Sequence, residues 1–341
     1  MSLIDLIDKK YRIISIVGMA KNAGKTVTLN HIIQEAIYRD ITLGITSTGR
    51  DGESQDVVTN TEKPTIYVME GTLIATTSEF LGMGDAKVEI IEVTDFSTPL
   101  GNIVIGRVKE EGYVQIAGPQ TSSEIKQVSE RMLEFGANII IVDGSLNRVS
   151  SAAPSITEGT ILATGATVSR NVNKVIEETM HKTNLFRLDE VKDSEVRLEI
   201  EKCIADKKTC LIKDNMDVEQ LDIRTAINCG DIIASHIDED TRYIVIPGSL
   251  VKKTVEDIIM YTRKYKDVKF VVEDGTKIFI DAKSWLRFSK QGFNVEVLNG
   301  IDVIAVTINP YAPQGYYFNP KEFLDKMETY LKDVPVMDVM L

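Results

Sequence analysis

Residues 12–26 read RIISIVGMAKNAGKT: an isoleucine-rich run, then a short loop that begins and ends with glycine, then Lys-Thr. Residues 12–17 predict a buried parallel strand, because an unbroken apolar run is typical of a strand that is covered on both faces. Apolar residues then recur at helical spacing over residues 26–38. Residues 41–45 form another short apolar run, which predicts a second strand. Strand, helix and strand in this order predict a βαβ unit and therefore a parallel sheet.

The loop between the first strand and the helix has the composition of a phosphate-binding loop. Its Gly-Lys-Thr ending stands between a predicted strand and a predicted helix, the context that a Walker A motif needs. Backbone N–H groups and the helix N-terminus would bind the phosphates of a nucleoside triphosphate. Lys25 would reach the β- and γ-phosphates, and the Thr26 hydroxyl would ligate Mg²⁺. The predicted nucleotide contacts are Gly18, Asn22, Ala23, Gly24, Lys25 and Thr26.

The spacing of this loop departs from the ordinary pattern. Five residues lie between Gly18 and Gly24, where the ordinary motif has four, and Met19 occupies the usual place of the first glycine. The alternative interpretation is that the Gly-Lys-Thr triplet only caps a helix.

Two acidic segments are candidates for the metal and for catalysis. Residues 138–143 predict a buried strand that ends in Asp143, which would bind Mg²⁺ directly or through water; buried strands that merely end in Asp are also common. Asp51 and Glu53 lie in a polar loop after the second predicted strand and would approach the metal or an attacking water. The alternative for that loop is a solvated glycine turn. Lys25, Asp51 and Glu53 are the predicted catalytic residues.

The rest of the chain predicts an α/β fold with more than one domain. Short apolar runs between residues 64 and 120 predict strands or hairpins inserted in a parallel-sheet P-loop NTPase domain. We expect that domain to cover residues 1–190, a helical connection to cover 191–234, and a smaller α/β domain to cover 235–341. Residues 309–318 read NPYAPQGYYF, which indicates a rigid turn or an aromatic recognition loop.

Net charge and apolar run length argue against two classes of function, although local basic patches stay open. A formal net charge of -12 over 341 residues argues against nucleic-acid binding, which needs clustered Lys and Arg. No apolar run approaches the length of about 20 residues that spans a bilayer, so we expect no membrane insertion. The start of the chain lacks the features of a signal peptide, and three cysteines without a CxxC pair predict reduced thiols. We therefore expect a cytoplasmic protein.

The Gly-x5-Gly-Lys-Thr loop on the first strand–loop–helix resembles dethiobiotin synthetase and related P-loop proteins of the SIMIBI class. The resemblance covers about residues 12–150. It implies a parallel sheet that binds Mg²⁺ and the nucleotide at its carboxyl edge, often across a homodimer. It assigns nucleotide or metal contacts to Gly18, Gly24, Lys25, Thr26 and Asp143.

A narrower resemblance spans nearly the whole chain. The phrases GMAKNAGKT, TSTGRDGE, IVDGSLNR and NPYAPQGYYF are similar to those of poorly characterised proteins that accompany cobalamin-dependent lysine or ornithine aminomutases in amino-acid fermentation. That resemblance implies an aminomutase as partner and an ATP-driven accessory or reactivating role.

The sequence favours ATP over GTP, because residues 173–176 read NKVI and lack the acid of an Asn-Lys-x-Asp guanine-recognition motif. Three functions stay open. The first is an ATPase whose cycle changes its conformation or its grip on a partner protein. The second is a ligase or kinase that acts on a small metabolite, and the third is a nucleotide-binding regulatory module with little turnover.

Overall fold

The computed structural model describes residues 2–48, 66–144 and 152–339. Two compact units make up the chain: Met1–Thr179 together with Asp302–Leu341, and Met180–Ile301. Among the described residues, no helix is both long enough and apolar enough to cross a bilayer.

The elements follow in chain order. From the start of the chain to residue 186 they are α1 (Leu3–Ile7), β1 (Ile13–Gly18), α2 (Lys25–Ile37), β2 (Leu43–Ser47), β3 (Ile66–Val68), β4 (Leu73–Thr77), β5 (Lys87–Thr98), β6 (Gly101–Glu110), β7 (Gly112–Val114), α3 (Ser122–Glu134), β8 (Ile139–Asp143), β9 (Gly159–Gly165) and α4 (Val172–Phe186). The later elements are α5 (Ser194–Ala205), β10 (Cys210–Lys213), β11 (Val218–Gln220), α6 (Gly230–His236), β12 (Thr241–Val245), β13 (Leu250–Val251), α7 (Lys252–Tyr261), β14 (Lys269–Val272), β15 (Ile278–Phe279), α8 (Ala282–Lys290), β16 (Asn294–Val297), β17 (Val303–Asn309), α9 (Pro320–Tyr330) and β18 (Val336–Asp338).

A nine-stranded sheet forms the centre of the first unit, in the order β18-β17-β9-β1-β8-β2-β4-β6-β5. The pairs from β18 to β4 are parallel, and β6 and β5 add an antiparallel hairpin at one edge. The predicted mixed α/β class and the mostly parallel sheet are therefore confirmed. Since parallel strands point the same way, the segments that follow β1, β2, β8, β9 and β17 all begin at one edge of this sheet.

Both faces of the central strands are covered, which explains their continuous apolar sequences. Ile14 and Ile16 of β1 belong to the same buried cluster as Leu29 and Ile32 of α2. Ile13 lies in a second cluster with residues of α3 and with alternate residues of β8, namely Ile125, Val128, Met132, Ile140 and Val142. Successive residues of one strand thus reach opposite layers of the core.

The second unit has its own five-stranded sheet, in the order β11-β10-β12-β14-β16. β12, β14 and β16 are parallel, whereas β10 pairs antiparallel with both of its neighbours. A separate buried cluster built from this unit includes Phe270 and Phe288. This unit is the smaller α/β part of the chain.

The division of the chain differs from the one expected from the sequence. We expected residues 235–341 to form one domain, but β17 pairs with β9 and β18 pairs with β17 in the large sheet. Residues 302–341 therefore belong with the first unit, and residues 180–301 are inserted between β9 and β17 in sequence. The expected helical connection at 191–234 contains α5 but also β10, β11 and the start of α6. The apolar run of β17 is typical of a buried strand, yet such a run carries no information about which sheet the strand joins.

Candidate phosphate-binding site

The connection from β1 to α2, residues 19–24, is a compact loop at the carboxyl edge of the large sheet. Two of its residues adopt left-handed backbone conformations, Asn22 with φ 61° and Gly24 with φ 103°. The Met19 N–H donates to the carbonyl of Ala163 on β9 at 2.8 Å, which ties the start of the loop to the neighbouring strand. Glycine and asparagine are the residue types that most readily adopt such conformations, so the sequence suits this turn.

The N-terminus of α2 faces this loop without a capping side chain. Gly24 is the N-cap residue, and the first turn that follows contains no acidic residue. The first N–H groups of a helix have no partner within the helix, and they carry its positive partial charge. Ala23 is buried, whereas Lys25 and Thr26 are partly exposed at the helix start. This arrangement suits an anion at the loop.

The Lys25 side chain passes over Gly18, the last residue of β1, and ends beside an acid. A Cβ atom on Gly18 would lie 3.1 Å from the Cγ and Cδ atoms of Lys25, so glycine leaves room for this path. Lys25 Nζ lies 3.5 Å from Asp143 Oδ1 and donates a hydrogen bond to the carbonyl of Gly144. The two side chains are 22% and 27% exposed, so both stay within reach of a ligand.

Asp143 is the last residue of β8, which lies between β1 and β2 in the sheet. It lies opposite Ile16 of β1 and Ser47 of β2 in the parallel registers. The Gly144 N–H donates to the Ile16 carbonyl at 2.9 Å, and the Thr48 N–H donates to the Asp143 carbonyl at 3.1 Å. The predicted Mg²⁺ ligand is therefore fixed at the same sheet edge as the candidate phosphate loop.

The Asp143 carboxyl is held in an environment that disfavours its charge. Burial raises its pKa, and the charge of Lys25 and its hydrogen bond oppose that rise. The net direction shows that one lysine does not fully compensate the desolvation of this carboxylate. A further cation beside Asp143 would favour its ionised form.

Asp51 and Glu53 fall within residues 49–65, outside the described residues. The first described segment ends at Thr48, whose N–H donates to the Asp143 carbonyl. Their assignment as catalytic residues stays a prediction. Within the described residues, no group of three or more His, Cys, Asp and Glu side chains could hold a metal ion.

Sequence reasoning missed the contribution of β17 to this site. Thr307 Oγ1 lies 2.8 Å from Thr28 Oγ1 in the first turn of α2. Two residues further along the strand, Asn309 Nδ2 donates to the carbonyl of Asn22 in the loop at 3.3 Å. The signal was the placement of Thr307 and Asn309 at period two in an otherwise apolar strand, VIAVTIN. The sequence alone does not connect this strand with the phosphate loop, because it lies in the domain expected at residues 235–341.

Residues 310–318, which follow β17, form an ordered turn at the same edge. The Ala312 N–H donates to the Tyr316 carbonyl at 3.0 Å, and the Tyr316 hydroxyl donates to the Ala166 carbonyl after β9 at 2.7 Å. The rings of Tyr311 and Tyr317 have centroids 6.1 Å apart, and the two residues are 48% and 69% exposed. The backbone bonds support a rigid turn, and the exposed rings form an aromatic surface.

Comparison with known proteins adds no further assignment: no protein-family model, curated protein or solved structure matched the chain.

Proposed function

We propose that this protein is a Mg²⁺-dependent nucleoside triphosphatase that binds ATP at the carboxyl edge of its large sheet. One observation carries the proposal. The loop after β1 leads into an uncapped helix start, and there the side chain of Lys25 meets Asp143 from the neighbouring strand. A cluster of backbone donors, a cation and an acid at one sheet edge suits a polyphosphate bound with a metal ion.

Each part of the loop has a role in binding the triphosphate. N–H groups at the start of α2 would donate to phosphate oxygens, and the left-handed residues Asn22 and Gly24 turn the backbone around them. Lys25 would exchange its bonds to Asp143 and Gly144 for the β- and γ-phosphates, which carry more negative charge.

The oxygen donors at the site fit Mg²⁺, which prefers carboxylate, hydroxyl, phosphate and water oxygens. Asp143, directly or through water, and the Thr26 hydroxyl would hold the ion. Bound there, Mg²⁺ would supply positive charge to the phosphate oxygens, and attack of water on the γ-phosphorus would release ADP. Asp51 and Glu53 are the proposed residues for positioning that water.

The nucleoside would extend away from Asp143, toward β9 and β17. Asp143 lies on β8, on one side of β1. Since Asp143 is the proposed ligand of Mg²⁺, the metal ion and the terminal phosphates would lie on that side. On the other side stand the exposed rings of Tyr311 and Tyr317, which can stack on a base. ATP is proposed ahead of GTP, because the chain lacks the guanine-recognition motif.

The hydrolysis cycle would drive a conformational or partner-protein cycle, and the partner proposed from the family resemblance is a cobalamin-dependent aminomutase. The alternative is an ATP-dependent ligase or kinase acting on a small metabolite. Phosphate release separates the two. Release from ATP that needs Mg²⁺, and that rises when an aminomutase is added, supports the ATPase cycle. ADP formation that requires stoichiometric consumption of a metabolite supports the ligase or kinase.

Three further outcomes decide the assignment. Lys25→Ala should abolish most of the phosphate release, whereas Lys10→Ala, which removes an exposed lysine before the amino end of β1, should not. Faster release from GTP than from ATP would overturn the preference for ATP. No Mg²⁺-dependent release, together with no binding of ATP, would overturn the proposed function.

A further inference from the structure

Asn309, the last residue of β17, contacts the candidate phosphate loop at two points. Its Nδ2 atom donates to the carbonyl of Asn22 at 3.3 Å. Its side chain also lies close to Gly24: a Cβ atom built on Gly24 would be only 3.0 Å from Asn309 Cβ. Asn22 and Gly24 are the two loop residues with left-handed backbone conformations. One side chain thus contacts both residues that give the loop its shape.

The amide of Asn309 uses both of its functional groups. While Nδ2 donates to Asn22, Oδ1 accepts from the N–H of Tyr311 at 3.0 Å. The side chain therefore bridges the phosphate loop and the aromatic turn 310–318. Asparagine suits this place because its side chain carries a donor and an acceptor at opposite sides of one short amide.

The backbone of Asn309 is itself firmly held. Its carbonyl accepts from the Ala166 N–H at 2.9 Å, and Asn309 lies opposite Gly165 of β9 in the parallel register. A Cβ atom on Gly165 would lie 2.2 Å from the Asn309 carbonyl oxygen, so the two strands approach closely at this point. A contact from such a rigid base fixes the loop more strongly than a contact from a mobile surface residue.

We propose that Asn309 is a positioning residue, which holds Asn22 and Gly24 in the backbone conformation that binds the triphosphate. This inference rests on the proposed function. Asparagine adopts the left-handed conformation more readily than most residues but less readily than glycine, so the hydrogen bond to its carbonyl helps Asn22 to keep this conformation before the ligand arrives. Asn309 supplies that support. Because the loop is already ordered, nucleotide binding does not have to provide the free energy of ordering it.

The consequence is specific to the binding step. Loss of the Asn309 amide should weaken nucleotide binding, because the loop must then be ordered by the ligand. Turnover at saturating nucleotide should change little, since the bound loop and Lys25 reach the same arrangement. A general structural defect would instead lower the melting temperature and the active fraction.

The test uses the full-length chain and three variants, with β,γ-imido-ATP plus Mg²⁺ as the probe for binding. Asn309→Ala removes both hydrogen bonds without adding charge, and Asn309→Asp keeps the acceptor for Tyr311 but loses the donor to Asn22. The matched control is Asn138→Asp. Asn138 is exposed just before β8, at the opposite edge of the sheet, and its Oδ1 accepts from the Thr42 N–H at 2.8 Å, a bond that Asp keeps.

We expect both Asn309 variants to bind the analogue at least about tenfold more weakly than wild type. KM for ATP should rise in parallel, kcat should stay within about twofold, and the control should match wild type in both quantities. Amide hydrogen exchange over residues 19–24 of the ligand-free chain should be faster in Asn309→Ala and unchanged in the control.

Other outcomes would overturn the inference. Wild-type affinity in Asn309→Ala would show that the amide does not position the loop. If Asn309→Asp alone then bound more weakly, the cause would be its added negative charge. A fall in kcat and melting temperature with unchanged KM would show a general structural role. If the wild-type chain itself fails to bind the analogue, the proposed function fails, and this inference with it.

Discussion

The ammonium group of Lys25 and the carboxylate of Asp143 form an ion pair at 3.5 Å, joining the first residue of α2 to the last residue of β8. In the proposed function both groups change partners: Lys25 moves to the phosphates, and Asp143 turns to Mg²⁺. In the ligand-free chain the pair thus gives each of two partly buried groups a partner of opposite charge, and the nucleotide and its metal ion would replace those partners.

Asp143→Asn tests the metal side of this exchange. The amide keeps the shape of the side chain but removes the negative charge that Mg²⁺ prefers. We expect Mg²⁺-dependent phosphate release to fall at least about tenfold, while binding of ATP in the presence of EDTA changes less than about threefold. A Mg²⁺ titration of phosphate release measures the first effect. Asp40→Asn, which neutralises an exposed acid after α2, is the control. Equal release from both variants over the titration would remove Asp143 from the metal site.

Gly24→Ala tests the geometry of the loop, and Gly136→Ala is its matched control. Both glycines have left-handed backbones, with φ 103° and φ 97°. A Cβ atom on Gly24 would press on Asn309 Cβ at 3.0 Å, whereas one on Gly136 would meet nothing within 4 Å. Both variants should lose about 1–2 kcal/mol of unfolding free energy from backbone strain alone.

Only Gly24→Ala should also lose nucleotide affinity, by at least about tenfold, because its new methyl group displaces the loop. Denaturant unfolding and titration with the ATP analogue measure the two effects separately. Equal nucleotide affinity in the two variants would contradict the assignment of Gly24 to the binding loop.

Ionisation of two aspartates of the second unit should change the free energy of unfolding in opposite directions. Asp274 is almost fully buried, and burial raises the pKa of its carboxyl although the Thr276 side chain and N–H bond to it. Asp281 caps α8, and hydrogen bonds from the Ser284 side chain and N–H lower its pKa to about 2. A raised pKa means that the folded state loses stability as the carboxyl ionises, and a lowered pKa means the reverse.

At neutral pH, Asp274→Asn should therefore increase the unfolding free energy and Asp281→Asn should decrease it. The gain in Asp274→Asn should shrink as the pH falls through the raised folded pKa toward the ordinary aspartate value of about 3.9. The loss in Asp281→Asn should shrink only below that value, down to about 2. Urea titrations across this pH range measure both trends. A shift of the same sign in both variants at neutral pH would contradict the burial argument.

Local sequence pattern predicted much of the large sheet. Within the candidate site it predicted the loop after β1 and the acid at the end of β8, but not the residues of β17. The apolar runs that became β1, β2 and β8 are continuous because both of their faces are buried, and the acid that ends β8 does lie beside Lys25. The expectation that β17 belongs to a separate domain was wrong, because β17 pairs with β9 of the large sheet. The two strands are more than a hundred residues apart, and local sequence pattern does not show which distant strands pair. Asn309 was missed for the same reason, since its contact with Asn22 exists only after β17 joins β9.

Binding of β,γ-imido-ATP with Mg²⁺ to wild type, Lys25→Ala and Lys10→Ala tests the central claim most directly. In the proposed site Lys25 pairs with two phosphates in a partly desolvated loop, so its loss should weaken binding at least about tenfold. Lys10→Ala removes the same charge near the opposite edge of the sheet and should bind like wild type. Isothermal titration calorimetry of the three proteins gives the affinities. Saturable wild-type binding that only Lys25→Ala weakens is the predicted result, and equal affinity of all three folded proteins would contradict a phosphate site at Lys25.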